Sequence, residues 1–257
     1  MTALFFIDVL KKQPSFVHGT SPRCHVKNGV RKPLFCSDKG DEKLFLEDQI
    51  VFLHSLKIVT KVFFRVTQVH GNHVYVLKDS SIPVSEVGLC EADAIITHIP
   101  DCPIVVLTAD CVPIIIYDPI KHVVGIVHAG RLGTQKRIFT NTVEALSREY
   151  GSKPKNLIVG MGPAIRGCCY ELDEPCALPF IKKSPFSSEF INKIGGNKFF
   201  LDLPKVNRFE GYEAGILMKN IYTDGPCTSC ENDRWYSYRR EGKTGRLITL
   251  AMLQSRE

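Results

Sequence analysis

The hydrophobic pattern is most distinctive in the middle of the chain, where apolar runs stop abruptly at polar residues. Three such runs end at or just before a histidine or a cysteine: residues 62–69 before His70, residues 104–107 before Cys111, and residues 123–127 before His128. Short β-branched runs with polar boundaries are typical of buried strands. The pattern therefore predicts strands that deliver histidine and cysteine side chains to one edge of a sheet.

The same patterns along the rest of the chain predict more strands than helices. Further strands are predicted at residues 3–10, 15–19, 62–66, 74–77, 94–97, 114–117, 157–161, 199–203, 220–222, 235–240 and 246–253. Helices are predicted at residues 44–57, 134–150 and 205–217, with Thr134 as an N-cap, and loops at residues 25–42 and 78–87. The regular strand-helix alternation of a doubly wound parallel sheet is absent. The expected fold class is α+β (α/β), with mixed β-sheets packed face to face and helices on the outside, in a single domain over residues 1–257.

The composition is that of an ordinary globular protein, with 44% hydrophobic and 23% charged residues. The net charge of +6 comes from scattered basic residues, which argues against nucleic-acid binding. No window approaches the roughly 18 apolar residues that a membrane span requires. The ten cysteines follow no disulfide spacing and no secretory signal precedes them, so we expect a cytoplasmic protein with mostly free thiols.

The strongest candidate site consists of His70, Cys111 and His128. Imidazole nitrogen and thiolate sulfur are good zinc ligands, and three protein ligands leave a fourth tetrahedral position for water or substrate. The three residues are far apart in the chain, so no local motif supports the assignment. The structural alternative is a buried cysteine at a strand end with two hydrogen-bonded histidines.

The same residues also support two other kinds of chemistry. Cys111 with His128 or His70 as its base would form a cysteine-nucleophile dyad that Asp110 could orient. A set of two histidines and one cysteine with a weak methionine ligand is the pattern of a copper electron-transfer site. The chain has no obvious axial methionine and no His-X-His pair, which argues against a multicopper centre.

Two weaker signals concern anions. Gly130 and Gly133 flank Arg131 just before a predicted helix, an arrangement in which backbone N–H groups bind anions. Arg239 and Arg240 lie near a chain reversal and are candidates for a phosphate or carboxylate clamp. Ordinary turns and surface charge are the alternatives in these two cases.

The remaining cysteine pairs are predicted to carry no chemistry. Cys227-X-X-Cys230 resembles half of a zinc ribbon, but the chain has no second Cys-X-X-Cys motif. The sequence therefore argues against a structural zinc there. Cys168 and Cys169 are adjacent in the chain and are expected to be inert.

Six motifs, taken in order, resemble one known family. They are Gln68-Val69-His70-Gly71, Asp93-Ala94 with Thr97, Ala109-Asp110-Cys111-X-Pro113, His128-Ala129-Gly130-X-X-Gly133, Gly162-Pro163-Ala164-Ile165 with Tyr170-Glu171, and Ser237-Tyr238-Arg239-Arg240 with Gly245-Arg246. From about residue 64 to the C-terminus, their order and spacing are similar to those of the YfiH/laccase-domain family.

This resemblance implies a fold, a metal site and an activity. The fold would be an α/β architecture with sheets sandwiched between helices. His70, Cys111 and His128 would bind zinc, with copper as the older alternative. The activity would be phosphorolysis of adenosine, inosine or methylthioadenosine, together with adenosine deamination. Polyphenol oxidation, peptidoglycan-precursor editing and cysteine hydrolysis are other activities associated with the family.

The implied reactions give roles to further residues. Asp110 and Glu171 are the candidate acid and base for deamination, and Cys111 is the candidate nucleophile of a hydrolase. A purine nucleoside and phosphate would bind at Gln68, Gly130, Arg131, Gly133 and Arg240. The expected partners are these small molecules rather than nucleic acid or a membrane, and the expected state is a monomer or a homodimer.

The chain departs from the family pattern in two places. Arg131-Leu132 stands where the family has an aromatic residue followed by Arg or Lys, which moves the cation by one position. The N-terminal motif of the family is reduced to Gly19-Thr20-Ser21. The functions carried by these two segments are therefore expected to differ from those of the family.

Overall fold

Two β-sheets stacked face to face lie at the centre of the protein, with helices on both outer sides. The computed structural model describes residues 3–27, 30–35, 42–60, 63–81 and 90–256. The strands are β1 (Phe16–Thr20), β2 (Cys24–Lys27), β3 (Val30–Pro33), β4 (Val74–Leu77), β5 (Ala94–Thr97), β6 (Ile104–Thr108), β7 (Val112–Asp118), β8 (Val123–Ala129), β9 (Ile158–Met161), β10 (Glu171–Asp173), β11 (Ile191–Gly195), β12 (Lys198–Leu201), β13 (Ile221–Tyr222) and β14 (Leu247–Leu253). The helices are α1 (Asp8–Lys11), α2 (Glu42–Ser55), α3 (Arg131–Gln135), α4 (Ile138–Tyr150), α5 (Glu174–Lys183), α6 (Ser187–Phe190), α7 (Leu203–Glu213) and α8 (Tyr238–Glu241).

The predicted class of mixed sheets with outer helices is confirmed by the strand order. The larger sheet has six strands in the order β13-β9-β7-β8-β5-β4, and the smaller has three in the order β1-β14-β6. The β13–β9 and β4–β5 pairs are parallel, whereas the other pairs of the larger sheet are antiparallel. A small sheet of β10-β12-β11 and the hairpin β2-β3 complete the strands of the described residues.

Strand β7 explains how the layers fit together, because all of its residues are buried. Successive side chains of a strand point to opposite faces of the sheet. Ile114 and Ile116 therefore pack toward the helices on one side, whereas Ile115 and Tyr117 pack toward the smaller sheet on the other. A strand that is buried on both faces needs a continuous apolar run, which is what the sequence provides.

Helices cover the outer face of each sheet. Helix α4 packs on the larger sheet through apolar residues at helical spacing, including Val143 and Leu146. It begins after Arg137, where a left-handed backbone conformation with a φ of 64° interrupts the helix between α3 and α4. The prediction of Thr134 as the N-cap is therefore wrong. The helix predicted at residues 44–57 is present as α2, and it covers the smaller sheet. Among the described residues, no helix has the length and apolar character needed to cross a bilayer.

The N-terminal segment differs from its predicted structure. Residues 3–10 were predicted as a strand, but they form one isolated bridge at Phe5 and then enter α1. Gly160 on β9 explains this packing, because an added Cβ there would lie 2.7 Å from the side chain of Ile7. Ile7 and Leu10 are thus buried against the larger sheet without joining a ladder.

Three other segments also differ from their predicted secondary structure. Residues 235–237 of the strand predicted at 235–240 are irregular, and α8 begins at Tyr238. In the strand predicted at 62–66, the described residues make only one isolated bridge. The loop predicted at 25–42 contains parts of β2 and β3. Trp235 is fully buried although it lies in no strand. The loop predicted at 78–87 lies outside the described residues from position 82 onward.

Candidate metal centre

Three distant segments bring His70, Cys111 and His128 together at one edge of the larger sheet. His128 lies on β8, Cys111 lies in the turn between β6 and β7, and His70 precedes β4. The Cys111 Sγ atom is 3.8 Å from His70 Nε2, and the ligand atoms of all three residues lie within 4.8 Å of one another. The two imidazole rings meet edge to face with their centroids 4.7 Å apart. The predicted convergence of the three residues is therefore present.

Asp93 positions both histidines. Its side chain is fully buried, and its Oδ1 atom accepts a hydrogen bond from His128 Nδ1 at 2.7 Å. The same carboxylate accepts backbone N–H bonds from Val69, His70 and Gly71 at 3.3, 3.0 and 2.6 Å. Burial raises the pKa of Asp93, but the hydrogen bonds from His128 and from the backbone outweigh it and hold the pKa below its usual value. A carboxylate on the far nitrogen of an imidazole fixes the tautomer and the direction of the ring, so Nε2 would be the ligand atom for a bound metal.

The donor set fits a zinc ion. With bonds of about 2.0 Å to nitrogen and 2.3 Å to sulfur, a tetrahedral ion separates these two ligand atoms by about 3.6 Å. The observed separation of His70 Nε2 and Cys111 Sγ is 3.8 Å. Gly130 keeps this space open, because an added Cβ would lie 2.8 Å from His70 Cδ2 and 2.9 Å from the Cys111 sulfur.

The charges around the three residues favour a thiolate. Burial alone would raise the pKa of Cys111, but the charges and hydrogen bonds of His128 and His70 outweigh it and lower the pKa from 9.0 to about 6. Burial would lower the pKa of His128, yet the Cys111 sulfur and the Asp93 carboxylate raise it from 6.5 to about 9. Surroundings that stabilise a thiolate beside an imidazolium also favour a metal cation, which takes the place of the imidazole proton.

The turn that presents Cys111 has a strained backbone. Asp110 has a φ of 86° and His70 a φ of 57°, values that residues other than glycine rarely adopt. Hydrogen bonds hold Asp110 in place, because its carboxylate oxygens accept from Thr228 Oγ1 and from the Arg239 backbone N–H, each at 2.6 Å. Such strain persists only where the surroundings impose it, and it concentrates at functional sites.

The three residues open into a cleft with a volume of about 760 Å³, a size that suits a small-molecule ligand. The arginines that line it are Arg65, Arg131, Arg239 and Arg246. The rings of Tyr170 and Tyr238 also line the cleft, and the Arg239 guanidinium lies 4.9 Å from the centroid of the Tyr170 ring. Asp110 is the only carboxylate among the described lining residues. The cleft therefore combines metal-ligating side chains with a cationic wall.

The predicted substrate residues of the central motifs lie at or beside this cleft. Gln68 and Arg131 line it. Both ends of the Gln68 amide are hydrogen-bonded to the Leu107 backbone at 2.8 Å, so this side chain shapes the wall next to β6. Gly130 is the N-cap of α3, and Gly133 is buried within the first turn of that helix.

The structure places two predicted residues away from the cleft. The Glu171 carboxylate pairs with Lys198 at 3.1 Å on the exposed side of β10. The Arg240 guanidinium donates hydrogen bonds of 2.7–2.8 Å to three backbone carbonyls within residues 228–235, so it stabilises a loop. Successive side chains of a helix point about 100° apart, and α8 therefore directs Arg239, one position earlier, toward the cleft.

Several residues of the site were not predicted as site residues. Asp93 was noted only as part of a motif, although an acidic residue directly before a buried strand is a signal for a carboxylate that orients an imidazole. Arg239 was noted only together with Arg240 as a possible anion clamp, and Arg246 belongs to a motif that carried the family resemblance only. Arg65 has no distinguishing sequence signal, because only the fold brings it to the cleft.

Comparisons with known proteins find one matching family and several similar sequences. Residues 36–254 match the family described as multi-copper polyphenol oxidoreductase laccase. Purine nucleoside phosphorylase YlmD of Bacillus subtilis is 35% identical over 164 residues, which cover 63% of this chain and 59% of that protein. A purine nucleoside phosphorylase of Deinococcus radiodurans is 33% identical over 234 residues, which cover 90% of this chain and 87% of the relative. Adenosine deaminase RL5, from an unknown prokaryotic organism, is 30% identical over 222 residues, covering 83% of this chain and 84% of the relative.

The length of the match differs among the relatives. The chain spans 59% of the length of the Bacillus subtilis protein and 53% of the length of purine nucleoside phosphorylase LACC1 from Mus musculus. Among solved structures, the hypothetical protein YfiH of Bacillus licheniformis superposes with a TM-score of 0.87 at 24% identity. That match covers 99% of this chain and 97% of the other, and it confirms the fold.

Proposed function

We propose, from the premise that this chain belongs to the multi-copper polyphenol oxidoreductase laccase family, that it is a zinc-dependent purine nucleoside phosphorylase. The substrates would be phosphate and a purine nucleoside such as adenosine, inosine or methylthioadenosine. Two relatives that match 63% and 90% of this chain are named purine nucleoside phosphorylases. His70, Cys111 and His128 would hold the metal.

The observation that carries this proposal is the presence of three metal-ligating side chains and a cationic wall in one cleft. Phosphate binds guanidinium groups through paired, charge-assisted hydrogen bonds. Four arginines line a volume of about 760 Å³, which has room for a nucleoside and phosphate side by side. The single lining carboxylate of the described cleft, Asp110, already accepts two hydrogen bonds. An anionic reactant therefore suits this cleft.

Each reactant has side chains that suit it. Arg131 and Arg239 would hold phosphate, whose oxygen would attack C1′ of the ribose while the bond from C1′ to the purine nitrogen breaks. The rings of Tyr170 and Tyr238 would stack on the purine. The departing purine would take up the proton that hydrogen phosphate loses when its oxygen bonds to C1′. Asp93 would keep His128 in the tautomer that binds metal. A zinc ion held by the three ligands would supply Lewis acidity.

Adenosine deamination is a second candidate, supported by the relative named adenosine deaminase RL5, which matches 83% of this chain. Such a reaction needs a proton carrier near the metal ligands. Of the two predicted carriers, Asp110 has both oxygens hydrogen-bonded, and Glu171 pairs with Lys198 outside the cleft. The described residues therefore support phosphorolysis better than deamination.

The other activities predicted from the resemblance receive less support. Among the described residues, the only other group of metal-ligating side chains contains four cysteines and no histidine, which does not suit a multicopper centre. A cysteine hydrolase that uses Cys111 would work without metal. Loss of activity on zinc removal separates the proposal from that alternative.

A product assay tests the proposed reaction. Zinc-loaded protein is incubated with adenosine or inosine, with and without phosphate, and the products are separated by chromatography. Adenine or hypoxanthine should appear together with ribose 1-phosphate only when phosphate is present. Cys111→Ala should abolish turnover, because it removes one of the three metal ligands.

The matched control is Cys90→Ser, which changes a half-buried cysteine outside both groups of metal-ligating residues. This variant should keep the wild-type rate. Release of the base without phosphate, or an unchanged rate in Cys111→Ala, would contradict the proposal. Conversion of adenosine to inosine with no free base would favour the deaminase.

A further inference from the structure

We propose that Cys168, Cys169, Cys227 and Cys230 form a second, structural zinc site that joins two loops of the cleft wall. The group shares no residue with the three ligands described above, and it does not depend on the proposed reaction. The prediction that these cysteines carry no chemistry considered each pair alone. The fold brings the pairs together, because one lies between β9 and β10 and the other follows β13.

The four sulfur atoms are spaced like the ligands of a single tetrahedral ion. All of them lie within 4.8 Å of one another, and the Sγ atoms of Cys168 and Cys169 are 3.6 and 3.4 Å from Cys230 Sγ. A zinc ion with bonds of about 2.3 Å to four sulfurs places them about 3.8 Å apart. Sulfurs joined in a disulfide are about 2.05 Å apart. The sulfurs thus surround one point, and all four cysteines are free.

Hydrogen bonds from an arginine side chain hold the turn between Cys227 and Cys230. The Arg240 guanidinium lies in the same turn, where it donates to the Ser229 carbonyl at 2.8 Å. A second hydrogen bond of 2.7 Å, to the Thr228 carbonyl, fixes the backbone between the two cysteines.

Backbone hydrogen bonds already hold the two loops together. Thr228 donates to the Ala164 carbonyl at 3.0 Å, and Ala164 donates to the Pro226 carbonyl at 3.2 Å. The Arg166 side chain crosses between the loops and donates to the Gly225 carbonyl at 2.8 Å. Ligands that are preorganised lose little conformational entropy on binding. The folded chain therefore presents four sulfurs that need little rearrangement.

The donor set indicates zinc and a structural role. Four thiolates fill all positions of a tetrahedral ion, so no position remains for a substrate. An iron–sulfur cluster contains inorganic sulfide between its iron atoms, and its cysteine sulfurs must be farther apart than the 4.8 Å limit that holds here. A single zinc ion therefore fits the group better than a cluster does.

The site would fix one wall of the cleft. Tyr170 lines the cleft and directly follows Cys169 in the chain. Thr228 lies in the Cys227 turn and donates a hydrogen bond of 2.6 Å to Asp110, the neighbour of the metal ligand at position 111. Loss of the ion would loosen both loops. We therefore expect weaker substrate binding as well as lower thermal stability.

Metal analysis of the purified full chain tests this assignment. Protein that is expressed with zinc and kept reduced should contain two zinc ions per chain. The Cys168→Ser, Cys230→Ser double variant should contain one zinc ion, and its Tm should be several degrees lower. Cys111→Ala should also contain one zinc ion, whereas the Cys90→Ser control should contain two.

Cobalt substitution shows which site holds the remaining ion. Cys111→Ala loaded with cobalt should keep the intense thiolate-to-cobalt absorption of a four-sulfur site, and this readout does not require the double variant to fold. Absence of that absorption would overturn the assignment, as would iron in place of zinc or a disulfide found by mass spectrometry in protein kept reduced. Metal content is independent of turnover, so failure of the phosphorylase proposal would leave this result unaffected.

Discussion

Gly130 has no side chain, and this leaves room for the side chains of His70 and Cys111. Gly130→Ala should lower the zinc affinity of the His70, Cys111 and His128 site by on the order of tenfold or more, because the new Cβ would lie within 2.9 Å of the ligand residues. Its φ of −77° suits alanine, so backbone strain does not contribute. Competition with a chromophoric chelator measures the affinity.

The control for this change is Gly196→Ala. A Cβ at position 196 meets nothing within 4 Å, and its φ of 51° adds backbone strain far from the ligands. That variant should lose some stability and keep the wild-type zinc affinity. Wild-type affinity in Gly130→Ala would show that the ligands are not held by this close approach.

The thiol of Cys111 should titrate well below an ordinary cysteine in zinc-free protein. Because its pKa is lowered to about 6, the reactive thiolate should appear as pH rises through that value, and alkylation by iodoacetamide should follow the same profile. Mass spectrometry of the peptide that contains Cys111 gives the rate at each pH. Cys102, with its pKa raised to about 12 by burial, should stay unreactive. A midpoint near pH 9 for Cys111 would contradict this prediction.

At the scale of residues, the candidate metal ligands could be predicted from the sequence, whereas the orientation of the arginine side chains could not. His70, Cys111 and His128 could be predicted because each ends an apolar run, and strand ends converge at a sheet edge. Arg239 and Arg240 are adjacent and chemically identical, so only the orientation of α8 decides which one faces the cleft. Charged residues on short helices and loops carry no periodic signal that would settle such a choice.

At the scale of elements, His18 on β1 ties this strand to the segment that leads into α1. Its buried imidazole accepts a hydrogen bond from the Ile7 backbone N–H at 2.8 Å, and burial lowers its pKa to about 4. The unfolded chain binds the proton near pH 6.5 and the folded chain only near pH 4, so stability is lost as pH falls through this window. The loss should reach about 3 kcal/mol below pH 4.

Urea unfolding at several pH values measures this effect against a matched variant. His18→Gln keeps an acceptor for the Ile7 N–H but does not titrate. The difference in unfolding free energy between wild type and variant should therefore change between pH 6.5 and pH 4 and stay constant above pH 7. A difference that does not depend on pH would mean that His18 is not held neutral by burial.

The strands that could be predicted are those with continuous apolar runs. Strands β4 and β5 have their predicted bounds, and β7 and β8 contain their predicted runs, because continuous apolar residues leave few alternatives. The N-terminal segment has the same apolar character, yet it forms α1, because the space above Gly160 accepts its side chains without strand pairing. The local sequence pattern does not show how two segments far apart in the chain pack against each other.

At the scale of the whole molecule, the single-domain organisation remains a prediction that unfolding can test. Ile115 is fully buried between the two sheets, so Ile115→Ala should lower the free energy of unfolding by about 2–5 kcal/mol. The control Ile120→Ala changes a side chain that is 65% exposed, and its effect should stay within about 0.5 kcal/mol.

Two probes decide whether the chain unfolds as one unit. The single tryptophan, Trp235, is buried near the start of β14, and its fluorescence reports on that region. Circular dichroism reports on all helices and strands. In a single domain, Ile115→Ala should shift both transitions by the same amount. Separate midpoints for the two probes would indicate two independently unfolding parts.

The strand order of the whole molecule could not be predicted from the sequence. Strand β14 pairs with β1 and β6, so the C-terminal strand lies between two strands from much earlier in the chain. Pairing at this separation depends on how complete layers pack. For the same reason, the sequence did not predict that Cys168, Cys169, Cys227 and Cys230 meet. The fold brings their sulfurs within 4.8 Å of one another.

The dependence of turnover on zinc at the three-ligand site tests the central claim most directly. Protein stripped of metal is titrated with zinc while phosphate-dependent release of the purine base is followed, in the wild type and in Cys111→Ala. The wild type should be inactive without metal and should recover as zinc is added, whereas Cys111→Ala should stay inactive at every zinc concentration. Full activity of the stripped wild type, or recovery of Cys111→Ala with zinc, would contradict the claim that His70, Cys111 and His128 hold the catalytic metal.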